Sequence, residues 1–510
     1  MTAESLPFGM GAMVALGVYI VLMLAIGAYA YTRRQEESLG DFYLAGRSMG
    51  LVVLLLTLYA TQYSGNTLLG FSGAAYREGF GFLVSVHFMT AIIVCYLLFA
   101  PRLYRLSRER EFITPGDFIQ YRFRSRALKA VVTVLMVYAA CNFTLAQMKT
   151  MGTAFETLSG GKIPLAVGVI GLAAVMLIYE SLGGMRSVAW TDAVQGGILF
   201  VGFGVVLYMA LDQVGGLAGA VETLAANPQT LRKVEPPDAE GVRRWISFIL
   251  LVGLGAAIYP QAIQRVYAAR DCRTLKRSLA IMAFLPLTTA VVSVLVGVIM
   301  AAHVPGLDLQ SGPGGMTRVI VPSETVLPRL CLIVMQSSEA GYWLVVIVFA
   351  SLLAAVMSTA DSALLSISSM VTQDLYAEFL RPGADQAHLT RMGRAITWTL
   401  MVPIVWLALK YDDNLIHLLK IKFELLIQCV PAFYLGIHTE KLTARTTLWG
   451  IAAGLSVTLG LVWADWLGWA EVGYEKVWGF HSGLIGLAVN LMVCGCDFLR
   501  TKPAADSPPE

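Results

Sequence analysis

The sequence predicts an all-α integral membrane protein of about thirteen transmembrane helices, with two five-helix halves of inverted topology and a broken first helix in each. Three observations predict it. Of the 510 residues, 57% are hydrophobic and 14% charged, with a mean hydropathy of +0.67; soluble domains carry about 25% charged residues. The apolar residues gather into runs near the roughly 20 residues that a bilayer requires. Two of those runs, five apart in order, carry Gly, Pro or amide residues near their middles.

The runs fall at 9–31, 50–76, 80–106, 127–158, 163–182, 188–212, 244–268, 274–304, 341–376, 390–410, 412–438, 446–467 and 478–499. The first has no basic stretch before it and continues to about Tyr31, so it reads as an uncleaved span, not a signal peptide. A short helix at Thr325 to Gln336 is too interrupted to count. An odd number of spans puts the termini on opposite faces. The larger share of the 37 Lys and Arg, with Arg102, Arg105, Arg108, Arg110, Arg122, Arg124, Arg126 and Lys129 in one loop, lies on one side. The positive-inside tendency then places the N-terminus outside and the C-terminus in the cytoplasm, in a cell (inner) membrane. This divides the chain into a first helix and cytoplasmic loop (1–49), a first repeat (50–212), an extracellular loop (213–243), a second repeat (244–438), two final helices (439–500) and a disordered cytoplasmic tail (501–510).

Several chemistries are excluded early. The seven cysteines form no CxxC and mostly lie in or beside apolar runs, and the six histidines are scattered. Neither a disulfide framework nor a zinc site follows. No nucleophile–base set, HExxH or pair of catalytic carboxylates is present, so an enzyme is not expected.

The second run reads LYATQYSGNTLLGFSG, interrupted by Gln62, Tyr63, Ser64, Gly65 and Asn66; the seventh reads LVGLGAAIYPQAIQR, with Gly253, Gly255 and Pro260. Gly and Pro weaken a helix and free carbonyls and amides. At membrane depth such backbone persists only where it lines a cavity or binds something. A plain kink explains either run alone. Two at matching places point to a central binding site.

The ninth run, FASLLAAVMSTADSALLSISSMVTQDLY, carries Ala355, Ser358, Thr359, Ser362, Ser366 and Ser369 at three- and four-residue steps, hence on one helical face. Ser358 and Thr359 lie one turn beyond the carbonyl of Ala355 and make three neutral oxygens with it. Two readings compete: close helix packing with hydroxyls bonded one turn back, or a site for a small hard cation.

GDFYLAGRSMG (Gly40 to Gly50), ITPGDFIQYRF (Ile113 to Phe123), GGMRSVAWTDAVQG (Gly183 to Gly196) and AAVMSTADSALL (Ala354 to Leu365) together resemble the sodium:solute symporter family, in order from about residue 40 to 376. The resemblance implies thirteen spans with a LeuT-like (leucine-transporter-type) 5+5 inverted repeat, here spans two to six and seven to eleven, and a sodium gradient as energy source. It carries the main sodium site onto the carbonyls of Ala60, Tyr63 and Ala355 and the hydroxyls of Ser358 and Thr359. Five neutral oxygens suit sodium, whereas a carboxylate-rich cage favours divalent ions. It links Asp192 to sodium release or a second sodium site, which Asp361 and Ser362 would share. The alternatives are that Asp192 pairs with Arg186 or a water, and that Asp361 is a packing contact.

The resemblance places the substrate between the broken halves, near Gln62, Ser64, Gly65 and Asn66, then Gln147, Tyr259 and Pro260. Amides at a half-helix N-terminus suit a carboxylate. Val252 and Ala256 stand where proline transporters of the family carry aromatics, which argues against proline. A small organic acid or amino acid is favoured. The eleventh run, HLLKIKFELLIQCVPAF, adds Lys420, Lys422 and Glu424. The lysines either snorkel to the outer surface, with Lys420 and Glu424 spaced to pair, or Lys422 or Glu424 faces the pathway and selects substrate charge.

The expected function is sodium-coupled uptake of a small organic solute by alternating access. The alternatives are a transporter-like sensor, for which about ten residues after the last span leave no signalling domain, or the same fold carrying a sugar or coupled to protons. No cofactor is expected beyond sodium as coupling ion. The expected partners are the solute, sodium and the lipid bilayer, with no nucleic acid, in a monomer or loose homo-oligomer.

Overall fold

The structure, a computed structural model, describes residues 9–33, 38–159, 161–213, 216–306, 310–311, 317–318, 325–410, 415–466 and 477–500. The predicted tail at 501–510 lies outside the described residues. Among the described residues the elements are helices apart from one short antiparallel pair, Gln310–Ser311 with Thr317–Arg318.

Among the described residues ten helical runs are long and apolar enough to cross a membrane, or eleven if the bent pair Ala239–Ala257 and Pro260–Ala268 counts as one. The difference from thirteen comes from where runs join. Asn66–Glu109 has 44 residues and Leu165–Asp212 has 48. At 1.5 Å per residue these are about 66 and 72 Å long, twice the ~30 Å apolar thickness of a bilayer. Each is interrupted by a glycine in the same unusual conformation: Gly79 at φ 64°, ψ −141° and Gly184 at φ 56°, ψ −143°. Only glycine adopts that backbone without strain. A Cβ there would also collide, with Lys233 O at Gly79 and with Phe42 O at Gly184. The first run holds the end of span two and all of span three; the second holds spans five and six.

Both predicted breaks are present. Span two is Leu51–Gln62 followed, after Tyr63 in an extended conformation (φ −101°, ψ 97°), by Asn66–Gly70 and Phe71–Glu78. Span seven is Ala239–Ala257, a break at Ile258 and Tyr259, and Pro260–Ala268, bent by 49°. Proline at the first helical position explains the restart, since its missing N–H has no intrahelical role there.

The helices pack in two sets. Span three (Val84–Glu109) lies along Ala239–Ala257, and Phe71–Glu78 lies along Ala290–His303 of span eight. Span nine (Glu339–Met370) lies along Leu165–Gln213 and span four (Arg126–Leu158). Every residue from 351 to 370 is buried, so span nine is surrounded by protein, as a helix must be when polar and apolar faces both avoid lipid. Exposed Val201, Val402, Trp406 and Met492 mark the lipid-facing rim. The final pair, Ala444–Trp466 and Ser482–Arg500, packs chiefly on itself. The predicted loop at 213–243 contains a helix, Gly216–Ala226, and the apolar piece before span nine is the helix Val326–Ser337.

Candidate functional site

In an unbroken span two the carbonyl of Ala60 would accept from the N–H of Ser64. Here Ser64 N donates to Thr67 Oγ1 (3.2 Å), and the next amide, Gly65 N, donates to Gln147 Oε1 of span four (3.1 Å). Thr67 N in turn bonds Ser64 O (2.9 Å), not Tyr63 O. The break therefore releases the Ala60 and Tyr63 carbonyls from the ladder. Span nine meets one of them: Ser358 Oγ donates to Ala60 O at 3.0 Å and to Ala355 O at 3.2 Å, and Thr359 Oγ1 reaches Ala60 O at 3.4 Å. Ala60, Tyr63, Ala355, Ser358 and Thr359 are all buried. Four of the five oxygens expected around a cation thus converge between spans two and nine.

One turn below, Ser362 Oγ donates to Ser358 O at 2.6 Å. Arg265, fully buried in the second half of span seven, donates to Ser362 Oγ, to Asp192 Oδ2 (2.7 Å), to Thr57 Oγ1 (2.8 Å) and to Gln261 O (3.1 Å). Thr57 also donates to Asp192 Oδ2, while Asp192 Oδ1 has no partner among the described residues. Asp192 does not pair with Arg186: that arginine holds Asp41 at 2.7 Å. Asp361 accepts from Tyr179 OH at 2.5 Å and from Ser362 at 3.3 Å. Asp192 and Asp361 thus approach Ser362 from different helices, with a guanidinium between Asp192 and Ser362. Sequence reasoning missed Arg265 and Thr57; the signal for Arg265 was an unremarked cation five residues beyond Pro260 in an apolar span.

The expected solute residues are spread around the breaks. Gly65 is held between spans four and nine, where a Cβ would stand 2.6 Å from both Thr150 Cγ2 and Val356 Cγ2. Asn66 Oδ1, Tyr59 OH, Tyr259 OH and both amide atoms of Gln261 are buried without partners among the described residues. Gln62 turns toward span three, its Nε2 3.8 Å from Met89 Sδ. Tyr259, just before Pro260, is stacked between Phe143 of span four (centroids 5.3 Å, 25°) and Phe423 of span eleven (5.3 Å, 22°).

The two lysines differ in surroundings. Lys420 lies over Phe248 (5.4 Å) and lines a cleft of about 570 Å³. Lys422 is 1% exposed, with Nζ 3.6 Å from the Phe143 centroid, 5.4 Å from Tyr259 and 5.3 Å from Phe423. Glu424 turns the other way, its Oε2 accepting from Gly483 N and from Ser482 Oγ (3.3 Å) of span thirteen. The cleft runs between the ends of spans two, seven and eleven and carries five basic side chains, among them Arg77, Arg244 and Lys420, against three acidic ones.

The sequence profile of the sodium:solute symporter family matches residues 42–454. The osmoregulated proline transporter of Bacillus subtilis is 28% identical over 502 residues, which cover 97% of this chain and 96% of that protein. The sodium/pantothenate symporter of Escherichia coli is 27% identical over 487 residues, covering 94% of each. Among solved structures, a Na+-coupled sialic acid symporter in a substrate-bound outward-open state matches with a TM-score of 0.79 at 18% identity, covering 98% of this chain and 99% of that one. That likeness is one of fold, and it agrees with the inverted-repeat arrangement predicted from the paired breaks.

Proposed function

The chain belongs to the sodium:solute symporter family, a family of transport proteins and not enzymes, and we propose that it brings a small organic acid or amino acid into the cell with sodium by alternating access. The observation that carries this reading is the Ala60 carbonyl, freed by the break in span two and facing Ser358 and Thr359 of span nine. Sodium enters among the oxygens of Ala60, Tyr63, Ala355, Ser358 and Thr359. The two hydroxyls would then turn their O–H groups away from the carbonyls and present lone pairs to the ion. Neutral ligands hold a monovalent cation without the deep electrostatic well of a carboxylate cage, so release inside stays accessible. Because the ion joins span two of the first repeat to span nine of the second, it favours arrangements in which the two are close, and the solute bound at the break in span two is coupled to it.

Arg265 stands where a second sodium between Asp192 and Ser362 would have to sit. Asp192 is therefore assigned to release: it neutralises the guanidinium, and a departing ion meets its Oδ1, which has no partner among the described residues. The solute lies between the breaks, bounded by Ser64, Gly65, Asn66 and Gln147 on one side and Tyr259 and Pro260 on the other. Proline and pantothenate, the solutes in the names of the two relatives, both bear a carboxylate. The protein sits in the cell (inner) membrane with its N-terminus outside, which opens the 570 Å³ cleft to the exterior and puts the Arg102–Lys129 loop in the cytoplasm.

Purified protein in proteoliposomes tests this with radiolabelled proline, pantothenate and short-chain organic acids. Uptake of at least one is expected to require an inward sodium gradient. Accumulation that proceeds equally with potassium or proton gradients alone would remove sodium from the account.

A further inference from the structure

We propose that Lys422 binds the carboxylate of the transported solute, so that the substrates are small organic anions and not neutral solutes. This deepens the symport reading and rests on it. Lys422 is 1% exposed on a helix that packs against span four, the first half of span seven and the 66–70 segment of span two. Among the described residues no carboxylate pairs with it and no hydrogen bond reaches it; its surroundings are the rings of Phe143, Tyr259 and Phe423. Aromatic faces attract a cation but do not replace an anion. An ammonium buried without a counter-ion is costly, and functional sites are where such a cost is kept.

The anion's other partners are at hand. Tyr259 joins the cage directly to Pro260, which opens the second half of span seven. At its start Pro260 has no N–H and the amides of Ala262 and Ile263 bond Tyr259 O (3.1 and 3.0 Å), which leaves the N–H of Gln261, whose side chain is fully buried with both amide atoms unpartnered among the described residues. A buried ammonium, a buried amide and a helix N-terminus together suit a carboxylate. The route in has the matching charge, since the outer cleft carries five basic side chains against three acidic ones and Lys420 is two residues before Lys422. Of the two solute classes this favours organic acids over zwitterionic amino acids, whose ammonium would meet a cage that already holds one. Coupling also follows: sodium and the Lys422 charge repel each other until the carboxylate neutralises the lysine, so each solute favours the other's binding.

The test is thermal unfolding of detergent-purified protein with pantothenate, propionate and pyruvate, set against panthenol, propionamide and pyruvamide, in sodium and in choline. Wild type is expected to be stabilised by at least one acid in sodium and not by its neutral partner. Lys422→Met is expected to melt higher than wild type without solute, because a buried charge is gone. It should keep its stabilisation by sodium alone and bind the acid at least about 30-fold more weakly. Lys422→Arg should recover part of that loss. A Lys422→Met protein that melts lower and still binds the acid as wild type does would make the lysine structural and overturn the proposal. So would stabilisation by neutral partners equal to that by acids, or by no acid at all. Absence of any sodium effect in wild type would instead strike the symport reading.

Discussion

Replacing Asp192 by asparagine keeps the shape of the side chain and removes one charge near the proposed ion site. The path is short: Asp192 Oδ2 to Arg265 Nη2 at 2.7 Å, Arg265 to Ser362 Oγ, and Ser362 Oγ to Ser358 O at 2.6 Å. Those links put the lost charge within about 8 Å of the Ser358 backbone, beside the proposed ion site, and at an effective dielectric constant of about 20 one unit charge at that distance is worth about 2 kcal/mol. Sodium should therefore bind ~30-fold more weakly, because the Arg265 guanidinium is left unneutralised. Adding Arg265→Met should return most of the affinity. If Asp192 instead ligated sodium itself, that second substitution would restore nothing. The assay is the sodium concentration that half-maximally stabilises each purified variant against heat. A value within threefold of wild type for Asp192→Asn would refute the electrostatic argument. A double variant no better than the single one would refute the role given to Arg265.

Three further outcomes follow from packing. Gly65→Ala would press a methyl into Thr150 and Val356 at 2.6 Å, so sodium-driven uptake should fall at least tenfold while the protein still reaches the membrane, read by uptake against surface amount. Gly184→Ala forces alanine to φ 56° against Phe42; strain of about 1–3 kcal/mol plus that collision should lower the melting temperature by several degrees. Lys129 is 3% exposed and holds Asp374 at 3.2 Å, Glu378 at 3.6 Å and Asp117 at 3.8 Å. Lys129→Met strands the buried Asp374 carboxylate and should cost about 3–5 kcal/mol, read as a lower melting temperature; an unchanged melt would contradict it.

Local chemistry was legible in the sequence and tertiary pairing was not. Ser358 and Thr359 stood out because hydroxyls in an apolar run are conspicuous, and the break after Gln62 because Ser, Gly and Asn cannot continue a buried helix unaided. Asp192 stood out too, but its partner did not. Its near neighbour Arg186 is committed to Asp41, and the true partner, Arg265, lies 73 residues away, a pairing no local pattern encodes. Lys420 and Lys422 looked alike in sequence, yet two positions on a helix differ by about 200°, so one faces the cleft and the other the interior. Phe143 carried no signal, because a phenylalanine in an apolar span is ordinary until its neighbours are known. Spans five and six were separable by length, although the backbone runs on through Gly184 and only its positive φ marks the division.

The central claim is that the unwound carbonyl of Ala60 and the hydroxyls of Ser358 and Thr359 hold sodium between spans two and nine. Equilibrium binding of radioactive sodium to the purified protein tests it most directly. Wild type should bind sodium saturably, and Ser358→Ala with Thr359→Ala should abolish that binding while the variant stays folded. Sodium binding unchanged by the two substitutions would contradict the account.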